Sequence, residues 1–286
     1  MDKKNSFLYK FRLLIQLSST AITNGYFKGF LTGKIFEGSS KYICTPGLNC
    51  YSCPGALGSC PIGSLQAVLT NREYNFSLYV LGFLFLFGVI LGRFICGFLC
   101  PFGLIQDLLY KIPFIKKIKI LPGEKILKYF RFLFLFVFVI ILPMFISDFL
   151  GNGEPWFCKY ICPVGTLEAS IPLIILNNTF KTAIGFLYKF KFTILLTIVI
   201  LSVFLYIPFC KYIYPLVSIY VLFNKVSFFR FEINTEKCLN CGICKNECKL
   251  DIDISKNPNS MDCIRCGDCI KKCPVNAINL TKIKDN

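Results

Sequence analysis

Seventeen cysteines and no histidine put the reactive chemistry of this 286-residue chain on sulfur. Eight of the cysteines fall in two runs of one design, Cys238-x2-Cys241-x2-Cys244-x3-Cys248 and Cys263-x2-Cys266-x2-Cys269-x3-Cys273-Pro274. Three thiolates on so tight a loop grip one iron–sulfur cube, and the fourth crosses to the other. The spacing assigns Cys238, Cys241, Cys244 and Cys273 to one [4Fe-4S] cluster, and Cys248, Cys263, Cys266 and Cys269 to a second. Gly242 and Gly267 lie inside the loops, where the backbone must approach inorganic sulfide without a Cβ in the way. Paired zinc sites also use closely spaced thiolates, but triple C-x2-C-x2-C runs exceed what zinc needs. A disulfide scaffold fits this spacing less well still. One position breaks the symmetry: Pro274 follows Cys273, whereas Lys249 follows Cys248.

The missing histidine excludes bis-His haem, most catalytic zinc sites and the usual neutral-pH proton shuttle. No haem is expected. No Gly-x-Gly-x-x-Gly fingerprint follows a strand pattern, and no Walker lysine loop is present. The net charge of +16 would suit nucleic acid. A mean hydropathy of +0.59 favours basic flanks of membrane spans instead, and no nucleic-acid partner. No small-residue cleavage site follows the first apolar segment, so that segment is expected to be retained.

These clusters need a scaffold, and the sequence provides a greasy one. A hydrocarbon core takes about 20 apolar residues to cross. Residues 74–92, 129–147 and 192–210 are long enough, and 13–27 is a shorter fourth, with Arg12 and Lys28 placed to snorkel. The expected spans are about 11–30, 74–95, 129–148 and 190–210. Residues 1–12, 96–131 and 208–236 hold 14 Lys and Arg, against seven in 31–75 and 149–191. The basic side is expected to be cytoplasmic, with both termini inside a multi-pass cell-membrane protein. The fold class that follows is an α-helical membrane domain over 1–230, with about four transmembrane helices and short Cys-Pro-capped helices. A C-terminal α+β, bacterial-type 2[4Fe-4S] ferredoxin domain over 231–286 follows it, in the cytoplasm where thiolates stay reduced.

A repeat runs through the membrane half. It reads Cys60-Pro-Ile-Gly-Ser-Leu-Gln66, Cys100-Pro-Phe-Gly-Leu-Ile-Gln106, Cys162-Pro-Val-Gly-Thr-Leu-Glu168 and Tyr214-Pro-Leu-Val-Ser-Ile-Tyr220. Copies two, three and four carry another cysteine four residues earlier, at Cys96, Cys158 and Cys210; copy one has Ala56 there, with Cys53 upstream. Proline favours the first helical position, so each Cys should cap a helix start, where the dipole suits a thiolate. Side parity sorts Cys44, Cys50, Cys53, Cys60, Cys158 and Cys162 outside, and Cys96, Cys100 and Cys210 inside. One candidate outer cluster uses Cys53, Cys60, Cys158 and Cys162. One candidate inner site uses Cys96, Cys100 and Cys210, with Tyr214 or an exogenous fourth ligand. One or two further clusters would thus join the two in the C-terminal domain. Cys44 and Cys50 are left as a redox disulfide or as substitutes for the chosen outer ligands. Gln66, Gln106 and Glu168 read as polar positions on interfacial helices, and Trp156 as an interfacial anchor.

Cys-x3-Cys-Pro motifs between spans, followed by two ferredoxin runs, resemble the membrane polyferredoxins of the NapH/NosR-like family over about the last three-quarters of the chain. The segment Cys44-Thr-Pro-Gly-Leu-Asn-Cys50-Tyr-Ser-Cys53-Pro-Gly also looks like uncharacterised 4Fe-4S binding membrane proteins of anaerobic bacteria. The resemblance implies two cytoplasmic Cys-x3-Cys-Pro sites, at Cys96/Cys100 and Cys210/Tyr214; Tyr214 departs from that pattern.

The expected function is membrane-bound electron transfer from a cytoplasmic donor, a soluble ferredoxin or flavoprotein, to a membrane or extracytoplasmic acceptor. The chain would be a component of an oxidoreductase system rather than a stand-alone enzyme. The alternatives are a quinol- or quinone-linked dehydrogenase subunit, with Gln106 as its test position, and a sensor or assembly factor for a metalloenzyme.

Overall fold

A computed structural model describes residues 9–70, 78–113, 116–146, 153–177, 181–182 and 184–282. Two helices in it are long and apolar enough to cross a membrane: Glu124–Phe145, 22 residues with a mean hydropathy of 2.2, and Phe186–Phe204, 19 residues at 1.9. At 1.5 Å per residue they reach about 33 and 28 Å, close to the hydrocarbon thickness of about 30 Å. Only 22% and 17% of their apolar windows are buried inside the protein. Phe130, Leu133, Phe136, Phe186, Leu196 and Ile200 face outward instead.

The other two expected spans differ. The described part of the 74–95 segment is the apolar helix Leu78–Leu91, 14 residues long; residues 74–77 lie outside the described residues, as do 147–148 and 283–286. The first segment is split into Arg12–Thr23 and Phe27–Thr32. Its break is built in by the loop that carries Cys44 to Cys60. The Thr23 carbonyl accepts from Leu57 N–H and from Asn49 Nδ2, and Tyr26 N–H donates to Gly55 O. Arg12 does not snorkel. It is buried, bonds the Gly97 carbonyl and the Tyr206 hydroxyl at 3.0 Å each, and lies 3.6 Å from Asp107.

The long helix is wound with π geometry over Phe134–Ile141. In that register the Phe138 carbonyl would pair with residue 143, and Pro143 has no N–H to give. The buried Gln66 supplies the donor from another helix, Nε2 to Phe138 O at 2.9 Å.

Each repeat copy opens a helix. Cys100 caps Pro101–Tyr110, its sulfur accepting from Gly103 N–H at 3.4 Å. Tyr214 caps Pro215–Phe223, and Cys60 precedes Pro61–Thr70. Cys162 precedes the apolar helix Gly165–Leu176.

The C-terminal lobe is a two-stranded antiparallel sheet, Phe229–Ile233 against Ile278–Lys282 with Phe231 opposite Leu280, and two short helices, Ile243–Glu247 and Asp268–Lys272. Its halves repeat at an offset of 25 residues. Left-handed backbone recurs at Asn240 and Arg265, at Gly242 and Gly267, and at Asp251 and Asn276. The lobe is tied to the helical part by backbone-directed side chains. Asn224 Nδ2 donates to the Ser260 and Cys263 carbonyls at 2.7 and 2.9 Å, and Arg265 to those of Leu91 and Asn224.

Candidate metal centres

Two apolar cavities divide the eight C-terminal cysteines four and four. One is bordered by Cys238, Cys241, Cys244 and Cys273, with Ile233, Val275 and Ile278 as walls. The other is bordered by Cys248, Cys263, Cys266 and Cys269, with Phe231 and Ile264. Backbone N–H groups aim at the sulfurs: Arg265 N to Cys263 at 3.4 Å and Ala277 N to Cys273 at 3.3 Å. The second cavity also has the Tyr9 ring against it; a Cβ on Gly267 would meet that ring at 2.1 Å. The Tyr9 hydroxyl is buried without a protein partner, and its neighbouring charges are Cys269, Cys263 and Cys266. An unmatched O–H near three cysteine sulfurs suits a cluster whose sulfurs accept hydrogen bonds. The residues present therefore fit two [4Fe-4S] clusters.

The second cavity is the docked one. Beside Cys263, Asp262 meets three cations: Arg131 at 2.9 Å, Lys128 at 3.1 Å and Arg93 at 3.3 Å. Burial alone would raise this carboxyl, but Arg93, Arg131 and Lys128 hold it well below the usual carboxylate range. Lys249, the residue that replaces proline after Cys248, explains itself here. Its ammonium sits 3.1 Å from Asp268, 4.0 Å from Asp107 and 4.9 Å from the Tyr206 ring centre. A proline would cost the lobe this charged tie to the helical part. The helix Phe94–Phe98, which carries Cys96, packs on the Cys263–Cys266 loop so closely that a Cβ on Gly97 would lie 2.7 Å from the Ile264 carbonyl.

A third cavity, of about 760 Å³, lies among the helix starts and is bordered by Cys50, Cys60, Cys158 and Cys162. Cys50 stands where Cys53 was expected. Cys53 is buried and turned to the break in the first helix pair, its sulfur 3.7 Å from Asn24 Oδ1. No disulfide joins Cys44 to Cys50. Cys44 faces the hydroxyls of Ser64 and Ser59 at 3.6 and 3.9 Å, while Cys50 faces the cavity.

Cys96, Cys100 and Cys210 lie within electrostatic reach of one another. Tyr214 does not complete them. Its hydroxyl makes a 3.3 Å hydrogen bond with Cys60, and Cys100 and Cys162 are its other charged neighbours. The starts of all four repeat copies thus converge on Tyr214, and the two expected cysteine sets are neighbours rather than remote sites. As a four-thiolate site, the Cys96 group does not fit: it has three sulfurs, and Tyr214 is engaged elsewhere. Among the described residues, no cysteine or carboxylate trio closes on a single-ion point.

The recurring Gln66, Gln106 and Glu168 are not interfacial. Two of them hold cysteine backbone, and the third holds a cysteine sulfur and the backbone beside it. Gln66 Oε1 accepts from Cys158 N–H at 3.3 Å, and Glu168 Oε2 from Cys50 N–H at 3.0 Å. Gln106 accepts from Phe209 N–H at 3.1 Å and donates to the Cys210 sulfur at 3.3 Å. Burial pushes the Glu168 carboxyl up to about 7, against the pull of the Cys50 N–H. In the fourth copy Tyr220 takes the position and donates to the Pro46 carbonyl at 3.0 Å. The register of these polar residues within the repeat was the signal for their shared role. Trp156 packs its ring on Tyr160 at 4.9 Å.

Residues 75–122, 130–170 and 190–235 match a family described as a 4Fe-4S binding domain, and residues 258–279 match a second family of the same description. Two uncharacterised proteins of Methanocaldococcus jannaschii are similar. MJ0750 is 27% identical over 68% of this chain and 74% of its own length; MJ0749 is 25% identical over 69% and 68%. No solved structure matches. The chain therefore carries 4Fe-4S binding domains and has distant uncharacterised archaeal homologues.

Proposed function

We propose that the chain is a membrane-bound electron carrier, related in organisation to the NapH/NosR-like polyferredoxins, that moves electrons from a cytoplasmic ferredoxin or flavoprotein toward the membrane or its far side. Bound [4Fe-4S] clusters supply one-electron exchange at sulfur-ligated iron. The protein's own part is to hold them in line. The observation that carries the reading is the docking of the Cys248/Cys263/Cys266/Cys269 cavity on the helix that bears Cys96, with Gly97 against Ile264. The other lobe cavity stays peripheral, with Cys241 exposed and available to a soluble donor. Arg93 and Arg131, fixed by Asp262 beside Cys263, are also near Cys96, where positive charge offsets the charge of reduced centres. The outward-facing apolar helices support a membrane setting, and the basic loops support a cytoplasmic lobe with both termini inside.

The test is electron transfer across sealed vesicles. The full chain is reconstituted in quinone-free lipid with ferricyanide trapped inside, and chemically reduced ferredoxin is added outside. Each electron leaving ferredoxin should convert one ferricyanide to ferrocyanide, at a rate well above that of empty vesicles. Rates equal to those of empty vesicles would reject the reading. Transfer that appears only when quinone is supplied would replace it with the quinone-linked alternative.

A further inference from the structure

We propose that the large cavity is a third [4Fe-4S] site, ligated by Cys50, Cys60, Cys158 and Cys162. Two of these residues, Cys50 and Cys60, lie outside every segment that matches a 4Fe-4S binding family. The proposal rests on the iron–sulfur reading above only for the choice of metal; its geometry is independent of the C-terminal lobe.

Four thiols from three separate stretches of chain border one cavity, and no other cysteine borders it. A single zinc ion would require all four sulfurs at about 2.3 Å from one point. Here the four sulfurs line one cavity without closing on a single-ion point, which suits a polynuclear centre better than one zinc. The two repeat glycines bring backbone close to the sulfurs: Cβ positions on Gly63 and Gly165 would lie 3.9 Å from the Cys158 sulfur and 3.7 Å from the Cys50 sulfur.

The surroundings are arranged for negative charge. The Cys60 sulfur lies near the backbone N–H groups of Gly63, Ile62 and Asn49 and 3.3 Å from the Tyr214 hydroxyl. The Cys162 sulfur likewise lies near the backbone N–H groups of Gly165 and Val164. Cys60 stands at the start of a ten-residue helix, whose dipole favours an anion there. Lys191 borders the cavity, with its ammonium 3.0 Å from the Cys158 carbonyl. Lys41 borders it too and is held by the Ala56 carbonyl at 3.1 Å. Four thiolates around a cube core leave a net negative charge, and two ammonium groups and a helix start oppose it. Gln66 and Glu168 fix the Cys158 and Cys50 backbones, so the site is held from behind as well as lined.

The experiment uses the full chain purified without oxygen in detergent, with iron, acid-labile sulfide and zinc measured per chain and EPR recorded after dithionite reduction. The unmutated chain should hold about twelve iron and twelve sulfide, four of each per cube. Cys50→Ser, Cys60→Ser, Cys158→Ser and Cys162→Ser should each lose about one third of the iron and leave the ferredoxin-type signals in place. Cys53→Ser, a neighbour of Cys50 in sequence, should lose none. About eight iron atoms in the unmutated chain, one zinc in place of four iron, or equal losses in Cys50→Ser and Cys53→Ser would each overturn the site. Mössbauer spectra of the unmutated chain give the cube count without any variant that has to fold: three cubes uphold the proposal and two reject it. Ferredoxin-type signals missing while about four iron atoms remain would reject the lobe assignment and uphold this one.

Discussion

The C-terminal lobe and the helical part solve one problem, gathering four sulfurs around a space, by opposite means. In the lobe, three of each four come from a loop only a few residues long, and the backbone itself does the placing. Left-handed positions at Asn240, Gly242, Arg265 and Gly267 turn the loops so that successive sulfurs face inward. In the helical part the sulfurs come from residues as far apart as Cys50 and Cys162, and no local turn can bring them together. Long-range side-chain ties do it instead, such as Glu168 to Cys50 across 118 residues and Gln66 to Cys158 across 92. The difference predicts where each part is fragile. The lobe should fail ligand by ligand, and the helical site tie by tie.

The largest effects test the lobe. Cys241→Ala and Cys263→Ala should each destroy one cluster, losing about four iron atoms, but with different structural consequences. Cys241 is exposed and borders the other lobe cavity. Cys263 is buried, and its carbonyl accepts from Asn224. Limited proteolysis between residues 223 and 282 should leave Cys241→Ala as resistant as the unmutated chain and should cut Cys263→Ala readily. Equal resistance in the two would mean that the docking surface does not depend on the cluster behind it.

Next in size is the ionic tie. Asp262→Ala would leave Arg93 and Arg131, both buried, facing each other without their shared carboxylate. Removing one partner from a buried ion group costs about 3–5 kcal/mol, and the loss should be read as a lower thermal midpoint for release of the lobe. Asp262→Glu, which keeps the charge, should recover part of it. A midpoint unchanged in Asp262→Ala would show that the lobe is held by its backbone hydrogen bonds alone.

The same contrast explains what the sequence discloses and what it hides. The spacing of the eight lobe cysteines is a local fact, and local spacing is readable. Two of the apolar stretches are readable for the same reason, as helices long enough to cross a membrane. The choice of Cys50 over Cys53 is not local. It depends on where the loop after Tyr42 folds back on Thr23 and Tyr26, and spacing says nothing about that. The break in the first helix pair comes from the same fold-back, so an apolar stretch read as one span is two short helices. The repeat itself was legible, down to its polar seventh position. Its meaning was not, because a glutamine at a helix surface and a glutamine tying a cysteine loop look alike until the partner helix is in place. Lys249 was visible as a break in pattern, and only its distance to Asp107 and Asp268 gives the reason.

Of intermediate size is the loss of a tie. Gln66→Ala would strand the Phe138 carbonyl and the Cys158 N–H, both part-buried among the surrounding helices. An unmet buried polar group costs about 1–3 kcal/mol, too little to unfold the chain and enough to loosen one cysteine. The expected result is faster loss of about four iron atoms to a chelator, with the lobe clusters unaffected. Gln66→Glu removes the donor to Phe138 and keeps the acceptor for Cys158, so it should fall between. If chelation rates are the same in all three proteins, the tie is ornamental to the site.

The smallest effect separates a ligand from its neighbour. Tyr214 occupies the place of a cysteine in its repeat, yet it binds no metal in this reading. Its hydroxyl is hydrogen-bonded to the Cys60 sulfur at 3.3 Å and is the donor when that sulfur is a cluster thiolate. A hydrogen bond to a cluster sulfur stabilises the more negative, reduced state, so removing it should make reduction harder. Tyr214→Phe keeps the ring that packs on Phe157 and Phe209 and deletes only the hydroxyl. The lost bond is worth about 1 kcal/mol, which should appear as a small negative shift in one midpoint potential of three, with the iron content unchanged. Were Tyr214 a metal ligand, the same change would remove iron. Were it a spacer, no potential would move. Only the shift at constant iron fits a residue that gave up its sulfur to tune the one across from it.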